Sequence, residues 1–213
     1  MHTQRELIAG HLLRIGAVFL RPREPFTWAS GIQSPIYCDN RLILSYPIIR
    51  KDVEEGLAEL VRQHFPEGEG LFGTATAGIA HAALTAEILG WPMGYVRGSA
   101  KDHGRTNRIE GKCEPGQKVV VIEDLISTGR SCVETAAALR EAGCHVLGIA
   151  SIFTYNMKTG KETLDTAGLE SHSLTDLEAL LEVAVEYGYV DELGAKQVLR
   201  FAEDPKDPGW KEL

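Results

Sequence analysis

Cysteine is scarce in this chain: there are four in 213 residues, Cys38, Cys113, Cys132 and Cys144. None forms a C-x-x-C pair, so zinc ligands and a disulfide framework are not expected, and a reducing compartment is the simple reading. Positive charge is also in short supply, with 22 Lys and Arg against 30 Asp and Glu, a formal net charge of -8. That balance argues against non-specific nucleic-acid binding, which needs broad positive surface. No apolar run reaches the roughly 18 residues of a membrane span. The start of the chain lacks a basic region followed by an apolar stretch, so no signal peptide is expected and a cytoplasmic location is. Two phosphate-binding signatures are missing too. There is no GK[ST] and no GxGxxG after a strand, which sets aside nucleotide hydrolysis and dinucleotide binding.

What is present is the composition of a soluble globular protein, 44% hydrophobic and 24% charged, long enough for one domain over residues 1–213 with a full core. Thr3 and Glu6 have capping-box spacing, and Leu7, Ile8, His11, Leu12 and Ile15 share a helical face that Gly16 can end. Residues 19–45 change to short alternating runs with Pro, Gly and aromatics, which suggests strands and turns. A second helix is predicted over 47–64.

From there strand and helix alternate. Strands are predicted at 71–74, 93–96, 119–122 and 145–153, with helices at 79–89, closed by Gly90, and 131–142, closed by Gly143. The β-branched run at 119–122 suits a strand covered on both faces. Such alternation implies an α/β fold with a parallel sheet and helices on both sides. The C-terminal part is expected to be helical, with a second capping box at Thr175 and Glu178 and an apolar stripe of Leu177, Leu180, Leu181, Ala184 and Val185.

The most informative stretch is VVVIEDLISTGRS, residues 119–131. A buried strand leads into two adjacent carboxylates, Glu123 and Asp124, at the edge where ligands bind in open α/β sheets. Two such acids need hydroxyls, a metal or solvent as partners. Ser127, Thr128, Gly129, Arg130 and Ser131 then open a helix, whose amides, hydroxyls and dipole suit a phosphate monoester. Gly129 permits a positive φ or a close backbone approach. Acids for sugar hydroxyls followed by a phosphate cradle specify a ribose-5-phosphate site; the plainer alternative is an acidic turn and a helix cap.

A long connection, RGSAKDHGRTNRIEGK over 97–112, gathers Arg97, Lys101, His103, Arg105, Arg108 and Lys112 in an otherwise acidic chain. It suits either a solvated charged loop or a lid that grips a polyphosphate, with its glycines as hinges. The turn GTATAGIAHA over 73–82 can serve as an anion nest or as tight strand–helix packing.

These segments together resemble the type I phosphoribosyltransferases, and within them the orotate phosphoribosyltransferases. VVVIEDLISTG is the sugar-phosphate loop of the wider family; VRGSAKDHGR over 96–105 and FTWASGIQSPIYCDNR over 26–41 are similar to the orotate enzymes' mobile loop and N-terminal hood. The resemblance implies a parallel-sheet core with a small hood from about 17–45 and C-terminal helical elements. It implies transfer of the 5-phosphoribosyl group from 5-phosphoribosyl 1-diphosphate (PRPP) to orotate, with Mg2+ held mainly through PRPP and no metal ligands of the protein's own. By the same likeness Arg97, Lys101 and His103 bind diphosphate, Glu123 and Asp124 hold the ribose, and residues 123–131, including Leu125 and Ile126, form the PRPP loop. Ser127 also contacts orotate, and Lys101, His103 and Asp124 carry the catalytic role. A homodimer with shared active sites is implied, with no nucleic-acid or membrane partner. The sequence departs from some relatives at Ala29, Ala77 and Gly98, where they carry lysines, and at Thr154-Tyr155-Asn156, which lacks an arginine. Arg130 is a candidate to replace part of that charge. A transferase for a purine base and a non-catalytic PRPP sensor are the competing readings; the hood and the lid speak against them.

Overall fold

The structure, a computed structural model, describes residues 3–27, 31–98 and 108–213. In chain order it opens with α1 (Gln4–Arg14), the short strands β1 (Val18–Leu20), β2 (Phe26–Thr27), β3 (Gln33–Ser34) and β4 (Ile36–Cys38), and a 3-10 segment, Asn40–Ser45. Then follow α2 (Pro47–His64), β5 (Gly70–Thr74), α3 (Gly78–Leu89), β6 (Met93–Val96), β7 (Ile109–Glu110), β8 (Lys118–Ile126), α4 (Arg130–Glu141) and β9 (His145–Thr154). The chain ends with α5 (Lys158–Thr166), β10 (Glu170–Asp176), α6 (Leu177–Glu186), α7 (Glu192–Glu203) and a second 3-10 segment, Pro208–Glu212.

Local chemistry explains several of these boundaries. Thr3 and Glu6 form the expected capping box, each side chain accepting from the other's backbone N–H, and Gly16 leaves α1 at φ +67°. Pro47 opens α2, where its missing N–H costs nothing. Gly90 closes α3 at φ +68°.

Six strands form one sheet in the order β10-β9-β8-β5-β6-β7. All neighbours are parallel except β6 and β7. Helices α1, α2 and α3 lie toward one face, α4 and α5 toward the other. Successive residues of β8 accordingly enter different cores: Val120 and Ile122 join Leu57 and Ala82, while Val119 and Val121 join Ala136 and Leu139. That two-sided burial is why the run is β-branched without alternation. From β5 the chain moves outward to β6, then returns to place β8 on the other side of β5. The C-terminal ends of β5 and β8 therefore flank a topological switch point, where α/β sheets open a crevice.

The N-terminal strands pair as two small antiparallel ribbons, β1 with β4 and β2 with β3. They lean on the C-terminal elements: Arg23 pairs with Asp191 at 2.7 Å, and Lys211 bonds Gln33.

Five sequence expectations need correction. The strand predicted at 119–122 runs on to Ile126, because β9 continues to pair with it through Leu125 and Ile126. The following helix starts at Arg130 rather than at 131. The C-terminal part is not wholly helical: β10, with the polar sequence ESHSLTD, adds in parallel to β9, an edge strand without the apolar run that would announce it. The cap of α6 is Asp176, whose side chain accepts from Ala179 N at 3.1 Å, not Thr175; Thr175 sits one residue too early, inside β10. Finally, Cys113 and Cys144 are joined by a disulfide, with Sγ–Sγ 2.00 Å. The turn after α4 brings Gly143 O to Gly116 N at 2.8 Å, a proximity that a separation of 31 residues did not reveal. Cys38 and Cys132 are free thiols.

Candidate active site

At the crevice, β5 and β8 are in register with Gly73 opposite Ile122, so the turn after β5 lies beside the acidic pair on β8. Small residues are required for this approach. A Cβ on Gly78, the first residue of α3, would stand 2.4 Å from Ile122 O, and one on Gly73 would stand 2.7 Å from Gly78 O. The small-residue turn is therefore tight strand–helix packing at the same time as it borders the crevice. The Ala75–Thr76 peptide within it is cis.

Glu123 is 4% exposed. Its carboxylate accepts from Ser131 Oγ at 2.8 Å, from the Asp124 N–H at 3.1 Å and from the Cys132 thiol at 3.7 Å. Burial, then the charge of Asp124, pushes the Glu123 carboxyl up to about 8. The bond from Ser131 ties the acid on β8 to the first turn of α4, so the acidic and helix-opening halves of the motif are one unit. Gly129 precedes that helix at φ +72°, the left-handed geometry glycine adopts without penalty. The first amides of α4 have no intrahelical acceptor and remain available to an anion.

The turn is held from behind by α5. A Cβ on Gly160 would meet Ser127 O at 2.3 Å, and one on Gly129 would meet Leu164 Cγ at 3.1 Å and Gly160 O at 3.3 Å. Beside it lies a cavity of about 270 Å3 lined by Ser127, Thr154, Asn156, Gly160 and Lys161, among others. Tyr155 turns away into the core, its ring edge-on to Phe153 at 5.2 Å. From the hood side, Asn40 is 1% exposed and donates from Nδ2 to Asp124 O at 2.7 Å. Asn40 Oδ1 in turn accepts from the Cys38 thiol at 3.3 Å.

The basic segment is placed only in part. Arg97, just past β6, pairs through Nε with Glu110 Oε1 at 3.2 Å, and its carbonyl accepts from Arg108 Nε at 2.9 Å. The short strand β7 inside this segment was not foreseen; its two residues pair with Tyr95 and Val96. Lys101 and His103 lie outside the described residues, as does Ala29. Arg130 is exposed and bonds Glu134 one helical turn on, at 2.7 Å, so its charge is already partnered along α4. Sequence reasoning missed Asn40 and Gly160; a buried asparagine and a helix glycine carry no pattern until the fold shows what they touch.

The family model of the phosphoribosyl transferase domain matches residues 42–174. An orotate phosphoribosyltransferase of Bacillus cereus is 57% identical over 203 residues, which are 95% of this chain and 97% of that protein. Among solved structures, orotate phosphoribosyltransferase from Aeropyrum pernix aligns with TM-score 0.75 and 31% identity, covering 86% of this chain and 99% of its own. Leishmania donovani UMP synthase aligns with TM-score 0.78 and 26% identity, over 92% of this chain and 42% of that one.

Proposed function

The chain belongs to the phosphoribosyl transferase family and, within it, to the orotate phosphoribosyltransferases, and from that premise we propose how its residues divide the work. The reaction is transfer of the 5-phosphoribosyl group of PRPP to orotate, giving orotidine 5'-monophosphate and pyrophosphate, a step of pyrimidine biosynthesis. The observation that carries the residue assignment is the Glu123–Ser131 bond, which joins the sugar-holding acids to the helix end that takes the 5-phosphate.

Breaking the bond from the anomeric carbon to diphosphate passes through a state with oxocarbenium character, so orientation and leaving-group charge dominate. Glu123 and Asp124 orient the ribose hydroxyls; with its carboxyl pushed up to about 8, Glu123 can donate as well as accept near neutral pH. Ser127, Thr128, Gly129, Arg130 and Ser131 receive the 5-phosphate on amides and hydroxyls, and Ser127 borders orotate. Leu125 and Ile126 hold this turn to β9 through backbone pairing. Arg97, Lys101 and His103 close over the diphosphate and exclude water. Orotate N1 is the nucleophile, and its anionic form needs no strong protein base.

The crevice places the ribose and diphosphate oxygens of PRPP together beside Glu123 and Asp124, and these hard oxygen donors suit Mg2+. The ion would be held mainly through PRPP, whose ribose Glu123 and Asp124 orient, and when bound it would neutralise charge on the departing diphosphate. The assembly is a homodimer in which the mobile loop within 96–105 of one subunit reaches the other's site; the likeness of VRGSAKDHGR to the family's mobile loop supports this. No helix among the described residues is long and apolar enough to cross a membrane.

Incubation with orotate, PRPP and Mg2+, following loss of orotate absorbance, tests the reading. Consumption of orotate, with adenine or hypoxanthine unable to compete, is the expected result. Folded protein that consumes none would overturn it.

A further inference from the structure

Away from the crevice, the end of α2 meets the sheet edge formed by β10. His64 is the last residue of α2, and Glu170 and His172 stand two residues apart on β10, which directs both from one face of the strand. The imidazoles of His64 and His172 stack with ring centroids 3.5 Å apart and planes at 17°. His172 Nε2 lies 2.6 Å from Glu170 Oε1. One potential ligand atom from each of the three residues lies within 4.8 Å of the others. The cluster rests on a firm base: Phe65, buried at 3% exposure, sets its ring edge-on to His172 at 5.7 Å.

We propose that His64, Glu170 and His172 form a binding site for a borderline divalent transition-metal ion, Zn2+ being the one the ligand set fits best, that clips α2 to the edge strand β10. Two imidazole nitrogens and one carboxylate oxygen are the donors Zn2+ takes readily, with water completing a tetrahedron. Zinc bonds to these atoms are about 2.0–2.2 Å long, so ligand atoms of one tetrahedron stand roughly 3.3 Å apart. To reach that spacing the rings would part from their stack, and the ion would take the place between Glu170 and His172 now bridged by a hydrogen bond. Nitrogen-rich sets select Zn2+, Ni2+ or Co2+ over Mg2+, so this site is chemically distinct from the Mg2+ requirement of the transfer reaction.

Its position assigns the role. Glu170 and His172 pair with Gly148 and Ala150, whereas the crevice end of the same ladder is Asp176 with Thr154. The ion would thus fasten the beginning of β10, the outermost strand, where one side of the ladder has no neighbouring strand among the described residues. An edge strand held by a cross-link to a helix is less free to fray or to pair with another chain.

The test is titration of the full-length protein with ZnCl2 in buffer containing excess Mg2+, by isothermal calorimetry and by thermal shift. One Zn2+ per chain and a raised Tm are expected. His64→Ala and His172→Ala should each weaken binding by more than ~10-fold and abolish the Tm rise, since even residues behind metal ligands are worth about that much. Glu170→Gln should fall between. Turnover with PRPP and orotate should be unchanged in all three variants. If a variant fails to fold, Co2+ added to the unaltered protein decides: visible bands of tetrahedral cobalt without an intense sulfur charge-transfer band support the site. Zinc binding that survives both histidine substitutions, no zinc binding at all, or a cobalt spectrum dominated by thiolate would each overturn it.

Discussion

Asn40 and Asp124 are 84 residues apart in sequence, yet the Asn40 side-chain amide donates to the Asp124 carbonyl at 2.7 Å. The bond fastens the segment following the N-terminal strands to the residue that bears the second acid of the proposed sugar site. Asn40 is buried, so its loss leaves a carbonyl without its partner, a cost of about 1–3 kcal/mol. Asn40→Ala should therefore lower Tm by several degrees, and kcat/KM should fall by more than the small unfolded fraction accounts for. Both are measured at a temperature where the variant is fully folded. Unchanged kcat/KM in a destabilised protein would reduce Asn40 to a purely structural role.

Much of this arrangement was legible in sequence because the physics there is local. A β-branched run, a glycine at a helix end and a hydroxyl three residues before a carboxylate each report on neighbours within one turn, and α1, α2, α3 and β6 follow from them. The motif at 119–131 was equally readable as chemistry, although its strand proved longer. What stayed hidden depends on contacts between distant segments. The polar strand β10 exists because β9 offers it a ladder, the Cys113–Cys144 bond because two turns meet, and Asn40 matters only because Asp124 O is beside it.

Glu123 makes the stability of the protein depend on pH in a direction that can be worked out. Its carboxyl is pushed from 4.5 up to about 8 in the folded chain, so the folded state binds the proton more tightly than the unfolded one. The stabilisation is complete below about 4.5 and is lost as pH rises through about 8. Other groups titrate too, so the quantity to follow is the difference in Tm between the unaltered protein and Glu123→Gln across pH 5 to 9, read without PRPP. The unaltered protein should lose Tm relative to the variant over that window, and a flat difference would contradict a buried, protonated Glu123.

Gly160 offers a test of whether the phosphate turn depends on its support. The residue touches no substrate in the proposed arrangement, but a methyl group there would stand 2.3 Å from Ser127 O. Relief requires the turn or α5 to shift, at about 1–3 kcal/mol. Gly160→Ala should raise KM for PRPP by roughly tenfold, the equivalent of ~1.4 kcal/mol, with a smaller change in kcat and a lowered Tm. Steady-state kinetics with PRPP varied at saturating orotate would show this. An unaltered KM would mean that the turn tolerates displacement and that its position is fixed from the β8 side alone.

Lys101 and Asp124 are proposed to act in one site from two subunits, and mixed dimers can separate that arrangement from its alternative. Lys101→Ala alone and Asp124→Asn alone should each lose most turnover while keeping their fold, as checked by circular dichroism. In a dimer formed from one subunit of each kind, one site joins the intact Asp124 of the first with the intact Lys101 of the second, and the other site carries both defects. Random reassortment of an equimolar mixture then makes about half of the dimers mixed and restores roughly a quarter of full activity. If both residues served the same subunit's site, every site in the mixture would retain one defect and activity would stay at the level of the single variants. Exchange is promoted by brief dilution in mild denaturant, with native mass spectrometry of differently tagged chains to establish that mixed dimers formed. Mixed dimers without restored turnover would show that the lid serves its own subunit.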